Sequence, residues 1–233
     1  ALSAFTEMFI KYNHVKGGTL TAKTRTLYLD ILDAYVKPGV FSSCSSKTDM
    51  VSFINKEAIK NLAVKFAENI ENDKVIHTFG TGHSHMLGIE LFARAGGLGN
   101  VDAMLDPDTL TSFGAQRSCA MEKTSGVSDV IYDSYKIEKG DIMIITSNSG
   151  RNAMPIEMAM RCQKEGIYTV AITNVSQSKG QKSRHPSGKR LFECVDLVID
   201  SCAPEADATL NLDGIKTGPA SSIVTMFLVN TIV

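Results

Sequence analysis

The sequence has almost no net charge, no long apolar run and no metal-type cysteine motif, and each absence excludes a class of function. Its 24 Lys and Arg residues against 25 Asp and Glu residues leave a formal net charge of -1. Nucleic-acid-binding proteins carry a basic surface, which this charge balance does not supply. No apolar run approaches the roughly 20 residues that a membrane span needs. We therefore expect no nucleic-acid partner and no membrane partner.

The cysteines indicate a reducing compartment. The 5 cysteines are odd in number and lack C-x-x-C spacing, which argues against a zinc site and a disulfide framework. The first residues also lack the charged-then-apolar pattern of a signal peptide. We therefore expect reduced thiols and a cytoplasmic protein. Because the sequence starts at Ala1 and stops at Val233 within an apparent helix, we expect further residues at both ends.

The composition predicts one main globular core. Hydrophobic residues make up 43% and charged residues 21% of the 233 residues, which is typical of a globular domain. We predict an α/β domain at residues 47–233. Residues 1–46 are predicted to be an N-terminal helical arm or linker, with helices at 4–15 and 26–35 and a Ser-rich linker at 41–46.

Apolar runs alternate with amphipathic stretches through the predicted domain. Strands are predicted at 75–79, 100–105, 142–146, 170–173 and 196–200. Helices are predicted at 48–72, from Ser84 to the glycines at 96–97, at about 122–136, at 152–165 and from Ser221, with Thr48, Ser84 and Asn152 as N-caps. This alternation predicts a three-layer α/β/α sandwich around a doubly wound parallel sheet.

Two short loops, each between a predicted strand and a predicted helix, are rich in glycine and hydroxyl residues. They are GTGHSH at 80–85 and TSNSGRN at 146–152. A helix N-terminus offers unpaired N–H groups and a partial positive charge, and glycine lets the backbone approach an anion closely. Ligands of such folds lie at the carboxyl ends of the strands, where both loops fall. The pair predicts a phosphate-bearing ligand held between them.

Six motifs, taken together, resemble a known family. They are FGTGHSHM at 79–86, ELF at 90–92, RAGG at 94–97, SNSGRN at 147–152, SRHPSGKR at 183–190 and GPASS at 218–222. On these motifs, residues 49–233 resemble the sugar isomerase (SIS) domain family of phosphosugar-binding proteins. Within that family they are similar to a bacterial group often labelled phosphoheptose-isomerase-like.

The resemblance implies a fold, an assembly and a binding site. The fold is a five-stranded parallel sheet of order 2-1-3-4-5, and the assembly is a homodimer or homotetramer with sites near the interface. By position, a sugar phosphate would be held by Ser84, Ser147, Ser149 and Asn152, with help from backbone N–H groups of the second loop. The full predicted substrate-binding set is Gly82, His83, Ser84, His85, Arg94, Ser147, Asn148, Ser149, Gly150, Asn152, Ser221 and Ser222.

One departure from the family bears on metal binding. Phosphoheptose isomerases look similar in the first loop, but their zinc-binding His and Glu fall at positions that are Glu90 and Arg94 here. A carboxylate in place of His and a cation in place of Glu remove the expected site. An alternative site would use His83, His85 and Glu90. We expect no metal and no cofactor.

Catalytic candidates follow from the chemistry of aldose-ketose isomerisation, which needs a base and groups that stabilise an enediolate. Glu90 is the predicted base, and the alternative is a structural ion pair with Arg94 on the same helix face. His185 is predicted to open the sugar ring or carry a proton, and Lys189 to neutralise negative charge. The alternative for both is a solvated loop. No acyl-transfer triad surrounds Ser147 and Ser149.

The sequence therefore predicts an SIS-fold sugar-phosphate isomerase. Two other functions stay open. A lyase related to the phosphosugar etherases would use the same phosphate site to eliminate a substituent. A regulatory domain would bind the phosphosugar without turning it over.

Overall fold

The computed structural model describes residues 38–233, with side chains from residue 54 onward except those of Glu205, Leu210 and Leu212. The chain divides into two units, residues 1–49 and residues 50–233. The sheet and the site described below belong to the second. The helices predicted at 4–15 and 26–35 lie outside the described residues, and the boundary after residue 46 stays a prediction.

A parallel sheet of five strands forms the centre of the second unit. Its strands are β1 (Ile76–Gly80), β2 (Val101–Ala103), β3 (Ile142–Thr146), β4 (Tyr168–Thr173) and β5 (Leu197–Asp200). They pair in parallel in the order β2-β1-β3-β4-β5, which confirms the predicted topology. Gly80 pairs with Thr146, so β1 and β3 end side by side. The two hydroxyl-rich loops therefore begin at neighbouring points of one sheet edge.

Helices cover both faces of the sheet. They are α1 (Pro38–Glu71), α2 (His85–Leu91), α3 (Ala115–Met121), α4 (Val127–Asp133), α5 (Ala153–Glu165), α6 (Val175–Lys179) and α7 (Ser221–Ile232). A hairpin of β6 (Leu210–Leu212) and β7 (Ile215–Thr217) precedes α7. None of the described helices is both long and apolar enough to cross a membrane.

The apolar run of β3 supplies two separate cores. Ile142 and Ile144 pack with α1, α2 and α7 on one face, whereas Met143 and Ile145 pack with α4 and α5 on the other. Successive side chains of a strand point to opposite faces, so a strand covered on both sides is apolar at every position. Each such side chain stabilises the fold by roughly 1.5–3 kcal/mol through burial. The three-layer α/β/α sandwich is confirmed.

Several predicted helix boundaries are wrong. Helix α1 begins at Pro38 and continues through Thr48, so Thr48 is not its N-cap and residues 41–46 are not a linker. Pro suits the first helical position, and neither Gly nor Pro interrupts residues 40–71. The helix predicted at 122–136 is only α4, which begins after a turn in which Gly126 has φ 86°, and α3 lies before the predicted span.

Helix α2 is shorter than predicted and lies unusually close to β1. It ends at Leu91, because Phe92 adopts an extended conformation and Ala93 has φ 48°. A Cβ added at Gly88 would lie 2.5 Å from Thr78 Oγ1 on β1. The absence of a side chain at Gly88 therefore lets the helix that follows the first loop rest directly on the sheet.

Candidate ligand-binding site

A cavity of about 180 Å³ lies at the carboxyl edge of the sheet. Its walls come from the first loop, the start of α2, the ends of β3 and β4, the segment after β5, and the start of α7. The lining residues are His83, Ser84, Met86, Leu87, Thr146, Asn148, Ile172, Ser201, Asp207, Ser221, Ser222, Thr225 and Met226. The cavity thus sits where the fold predicts a ligand.

Three hydroxyl groups on the cavity wall have no partner within the described residues. Thr146 is 6% exposed, and its buried hydroxyl makes no hydrogen bond there. The hydroxyls of Ser84 and Ser222 also form none with the described residues, but these side chains are only half-buried and water can reach them. Buried polar groups in folded proteins are normally paired, so an unpaired buried hydroxyl beside a cavity indicates a partner that enters the cavity.

The structure gathers only part of the predicted substrate-binding set around this cavity. His83, Ser84, Asn148, Ser221 and Ser222 line it. Sequence reasoning missed several other polar lining residues: Thr146, Ser201, Asp207 and Thr225. Thr146 had a signal, because it ends β3 directly before the second loop. Asp207 had no such signal, because it lies on an irregular segment that is far from both loops in the sequence.

The second loop is held in place by its own hydrogen bonds and by the basic loop after β4. Ser147 Oγ accepts a hydrogen bond from the Gly150 N–H at 3.2 Å, and Asn152 Oδ1 accepts one from Arg184 Nη1 at 2.7 Å. The Leu191 N–H donates to the Gly150 carbonyl at 2.8 Å. Ser147, Ser149, Gly150 and Asn152 do not line the cavity, and their contact with substrate stays a prediction.

Glu90 on α2 forms an ion pair with Arg94, which lies beyond the end of that helix at Leu91. Arg94 Nη1 donates to Glu90 Oε1, which also accepts a hydrogen bond from Asn230 Nδ2 of α7 at 2.8 Å. Neither side chain lines the cavity. The ion pair left open by the sequence is thus present, and the role of Glu90 as a base stays a prediction.

Residues 83–94 do not fit the zinc site of phosphoheptose isomerases. The Arg94 guanidinium carries a permanent positive charge and cannot ligate a metal ion. His85 and Glu90, from the alternative set with His83, are engaged elsewhere: His85 faces Gly82 and Thr109, and Glu90 faces Arg94. Within the described residues, no three His, Cys, Asp or Glu side chains cluster as metal ligands do.

His185 and Lys189 lie on the loop that packs against the second loop. The His185 ring contacts Ser187 Oγ at 2.7 Å through Nδ1 and lies 3.6 Å from Glu157 Oε1 through Nε2. The Lys189 carbonyl accepts a hydrogen bond from Ser183 Oγ at 2.6 Å. Neither residue lines the cavity, so their catalytic roles also stay predictions.

His85 holds the first loop in place from the protein interior. It is buried, with Nδ1 3.0 Å from the Gly82 carbonyl and Nε2 3.1 Å from Thr109 Oγ1. The Gly82 N–H in turn donates to the Thr109 carbonyl at 2.9 Å. Burial lowers the pKa of His85, because desolvation disfavours the charged ring. A neutral ring can donate from Nδ1 to the Gly82 carbonyl, while Nε2 and the Asp106 carbonyl, 3.0 Å from Thr109 Oγ1, compete for the single Thr109 hydroxyl proton.

His85→Gln is expected to flatten the dependence of stability on pH. Because the folded state disfavours protonated His85, the unfolded state binds more protons as the pH falls through the ordinary histidine range. Stability is therefore lost on acidification, and Gln removes that contribution. The measurement is the thermal midpoint between pH 8 and pH 5. His83→Gln, at an exposed position, is the matched control. Equal slopes in His85→Gln and wild type would contradict the assignment.

Asp207 occupies the N-terminus of α7. Its Oδ1 accepts hydrogen bonds from the N–H groups of Ala220 at 2.9 Å and Ser221 at 2.7 Å. Its Oδ2 accepts one from Ser221 Oγ at 2.6 Å. The helix start that the resemblance places beside the substrate phosphate therefore already carries a carboxylate.

Comparisons with known proteins identify the family. Residues 42–174 match the SIS domain family. A UPF0309 protein of Caldanaerobacter subterraneus is 36% identical over 205 residues, which cover 86% of this chain and 81% of that protein. A UPF0309 protein of Listeria monocytogenes serotype 4b is 41% identical over 177 residues, which cover 75% of this chain and 71% of that protein.

A solved structure shares the fold at low sequence identity. The phosphoheptose isomerase from Francisella tularensis superposes with a TM-score of 0.51 at 14% identity, over 88% of this chain and 95% of the isomerase. At that identity the likeness shows the fold alone. Together with the family match, it confirms the resemblance found in the sequence. The chain belongs to the SIS domain family and, with these relatives, to the UPF0309 proteins.

Proposed function

We propose that the cavity binds a sugar phosphate and that the protein is an aldose-ketose isomerase of sugar phosphates. The observation that carries the proposal is the buried, unpartnered Thr146 hydroxyl at a cavity that the hydroxyls of Ser84 and Ser222 also line. Phosphate oxygens and sugar hydroxyls are the partners that such groups need. The phosphoheptose isomerase that shares the fold supports the same ligand class.

The predicted proton-transfer groups do not line the cavity. Glu90 and His185 lie outside the cavity wall, and the ionisable side chains that do line it within the described residues are His83 and Asp207. An isomerase whose predicted base is Glu90 requires this ion-paired carboxylate to reach the substrate. A dimer or tetramer with sites near the interface stays a prediction, as does a cytoplasmic location.

The existing contacts of Glu90 and His185 favour one alternative function: a domain that binds the phosphosugar without converting it. Both side chains already have partners on this chain. NMR of aldose and ketose phosphates incubated with the protein separates the two functions. Interconversion supports the isomerase. Thermal stabilisation without any conversion supports the binding domain, and release of an ether or acyl substituent would indicate the lyase.

Thr146→Val is expected to weaken sugar-phosphate binding about tenfold while leaving the unliganded protein as stable as wild type. The Thr146 hydroxyl has no partner within the described chain, so its loss costs the fold nothing. A hydrogen bond to a charged ligand group contributes about 1.5–3 kcal/mol, and 1.4 kcal/mol is tenfold in affinity. The measurement is thermal shift and calorimetric titration over a panel of pentose, hexose and heptose phosphates.

Thr78→Val is the matched control. Thr78 is likewise buried on a strand with an unpartnered hydroxyl among the described residues, but it does not line the cavity. Both variants should keep the wild-type thermal midpoint, and only Thr146→Val should lose affinity. Equal ligand affinity in the two variants would show that the ligand does not reach Thr146.

A further inference from the structure

The cavity wall beside the start of α7 carries a carboxylate. Asp207 is half-buried and lines the cavity beside Ser221 and Ser222. The other ionisable side chain on the wall is His83, and no lysine or arginine of the described chain lines it. An anionic ligand group placed at this end would therefore face a carboxylate without a compensating side-chain cation.

Three of the donors at the start of α7 are already in use. A helix N-terminus favours anions through its free N–H groups. Here the N–H groups of Ala220 and Ser221 and the Ser221 hydroxyl all donate to Asp207. Asp207 holds this position with φ 53°, in a backbone region that non-glycine residues seldom adopt. The carboxylate thus substitutes for an external anion at this helix.

The remaining hydrogen-bonding capacity of Asp207 suits donors. A carboxylate only accepts hydrogen bonds and has about four acceptor positions, of which three are used here. Oδ2 accepts a single hydrogen bond, from Ser221. A sugar hydroxyl or ammonium group can donate to it, whereas a second phosphate or a carboxylate would be repelled at contact distance.

We propose that Asp207 restricts the cavity to sugar phosphates with a single anionic group, whose other end presents hydroxyl or ammonium donors. The inference rests on the proposed sugar-phosphate site and adds its specificity. Thr146 supports a ligand in the same cavity independently, because its buried hydroxyl lacks a partner in the described chain. The phosphate would bind on the side of the two hydroxyl-rich loops.

The test compares two ligands of equal length. Glucitol 6-phosphate and 6-phosphogluconate are both open six-carbon chains and differ only at C1, which is a hydroxymethyl group in one and a carboxylate in the other. Calorimetric titration of wild-type protein should show at least about tenfold tighter binding of glucitol 6-phosphate. In Asp207→Asn the difference should shrink to under about threefold, mainly because 6-phosphogluconate binds more tightly.

Two control variants separate the effect of removing the Asp207 charge from the effect of misfolding. Asp213→Asn removes a carboxylate from an exposed position on the neighbouring hairpin and should leave the wild-type preference unchanged. Asp207→Ser removes the charge but keeps an uncharged oxygen acceptor at this position, and it should behave like Asp207→Asn if neither variant is distorted. Near-ultraviolet circular dichroism reports folding of each variant.

The outcomes distinguish this inference from the proposed function. Equal binding of the two ligands by wild type, or a tenfold preference that survives in both Asp207 variants, overturns the role of Asp207 while sugar-phosphate binding stands. If no sugar phosphate of the wider panel stabilises wild type, the proposed function is overturned, and this inference with it.

Discussion

Asp141→Ala is expected to lower the free energy of unfolding by about 3 kcal/mol. Asp141 is 3% exposed and accepts hydrogen bonds from the N–H groups of Val75 at 3.0 Å and Glu138 at 2.7 Å. Its Oδ2 also lies 3.2 Å from Nε2 of His77, which is 1% exposed. Alanine would leave the buried ring without this acceptor and would also remove the acceptor of both N–H groups. Thermal unfolding should show a midpoint roughly 6–12 °C lower.

Two further variants, at more exposed carboxylates, should lose less stability than Asp141→Ala. Asp102 Oδ2 faces the other ring nitrogen of His77 at 3.0 Å, but its side chain is 37% exposed, so water replaces part of the lost contact in Asp102→Ala. Asp133→Ala removes an exposed partner of Arg161 and should cost at most about 1 kcal/mol. A loss in Asp141→Ala no larger than that in Asp133→Ala would show that the network around His77 is unimportant.

Gly150→Ala is expected to destabilise the protein by about 3 kcal/mol and to abolish measurable sugar-phosphate binding. Gly150 has φ +56°, and an added Cβ would lie 2.8 Å from Thr173 Oγ1 and 3.0 Å from Ser178 Oγ. The second loop would have to move away from β4 and α6. That movement displaces Asn148, which lines the cavity. Thermal unfolding and calorimetric titration measure the two effects.

Gly166→Ala separates the steric part of this effect from the conformational part. Gly166 ends α5 with φ +73°, but a Cβ there meets no atom within 4 Å. The substitution should cost about 1 kcal/mol, for the left-handed conformation alone, and leave binding intact. If Gly150→Ala were no worse than Gly166→Ala, the close packing of the second loop would not govern its position.

Much of the fold was predictable because its signals are local. The continuous apolar run at 142–146 indicates a strand covered on both faces, and Gly166 marks the end of α5. Boundaries failed where the local signal was ambiguous. A Ser-rich stretch predicted a linker at 41–46, yet it is helical. The helix predicted at 122–136 begins only after Gly126, whose N–H donates to Glu157 on α5 at 2.8 Å.

Less of the candidate site was predictable, because a binding wall is assembled from segments far apart in the chain. His83, Ser84 and Asn148 were found because they belong to the hydroxyl-rich loops. Other members of the predicted set have partners that no motif reveals. Asn152 binds Arg184 of a distant loop, and Glu90 contacts Asn230 across 140 residues of chain.

The sequence by itself determined the SIS resemblance, which implied the strand order, and the edge of the sheet where a ligand is expected. These depend on periodicity and on short motifs, which are properties of neighbouring residues. Only the tertiary structure decided which polar groups share one cavity, and that Asp207 accepts hydrogen bonds from Ala220 and Ser221 at the start of α7. The physical reason is that hydrogen-bond pairing and burial depend on contacts between distant segments, which the identity of a residue alone does not specify.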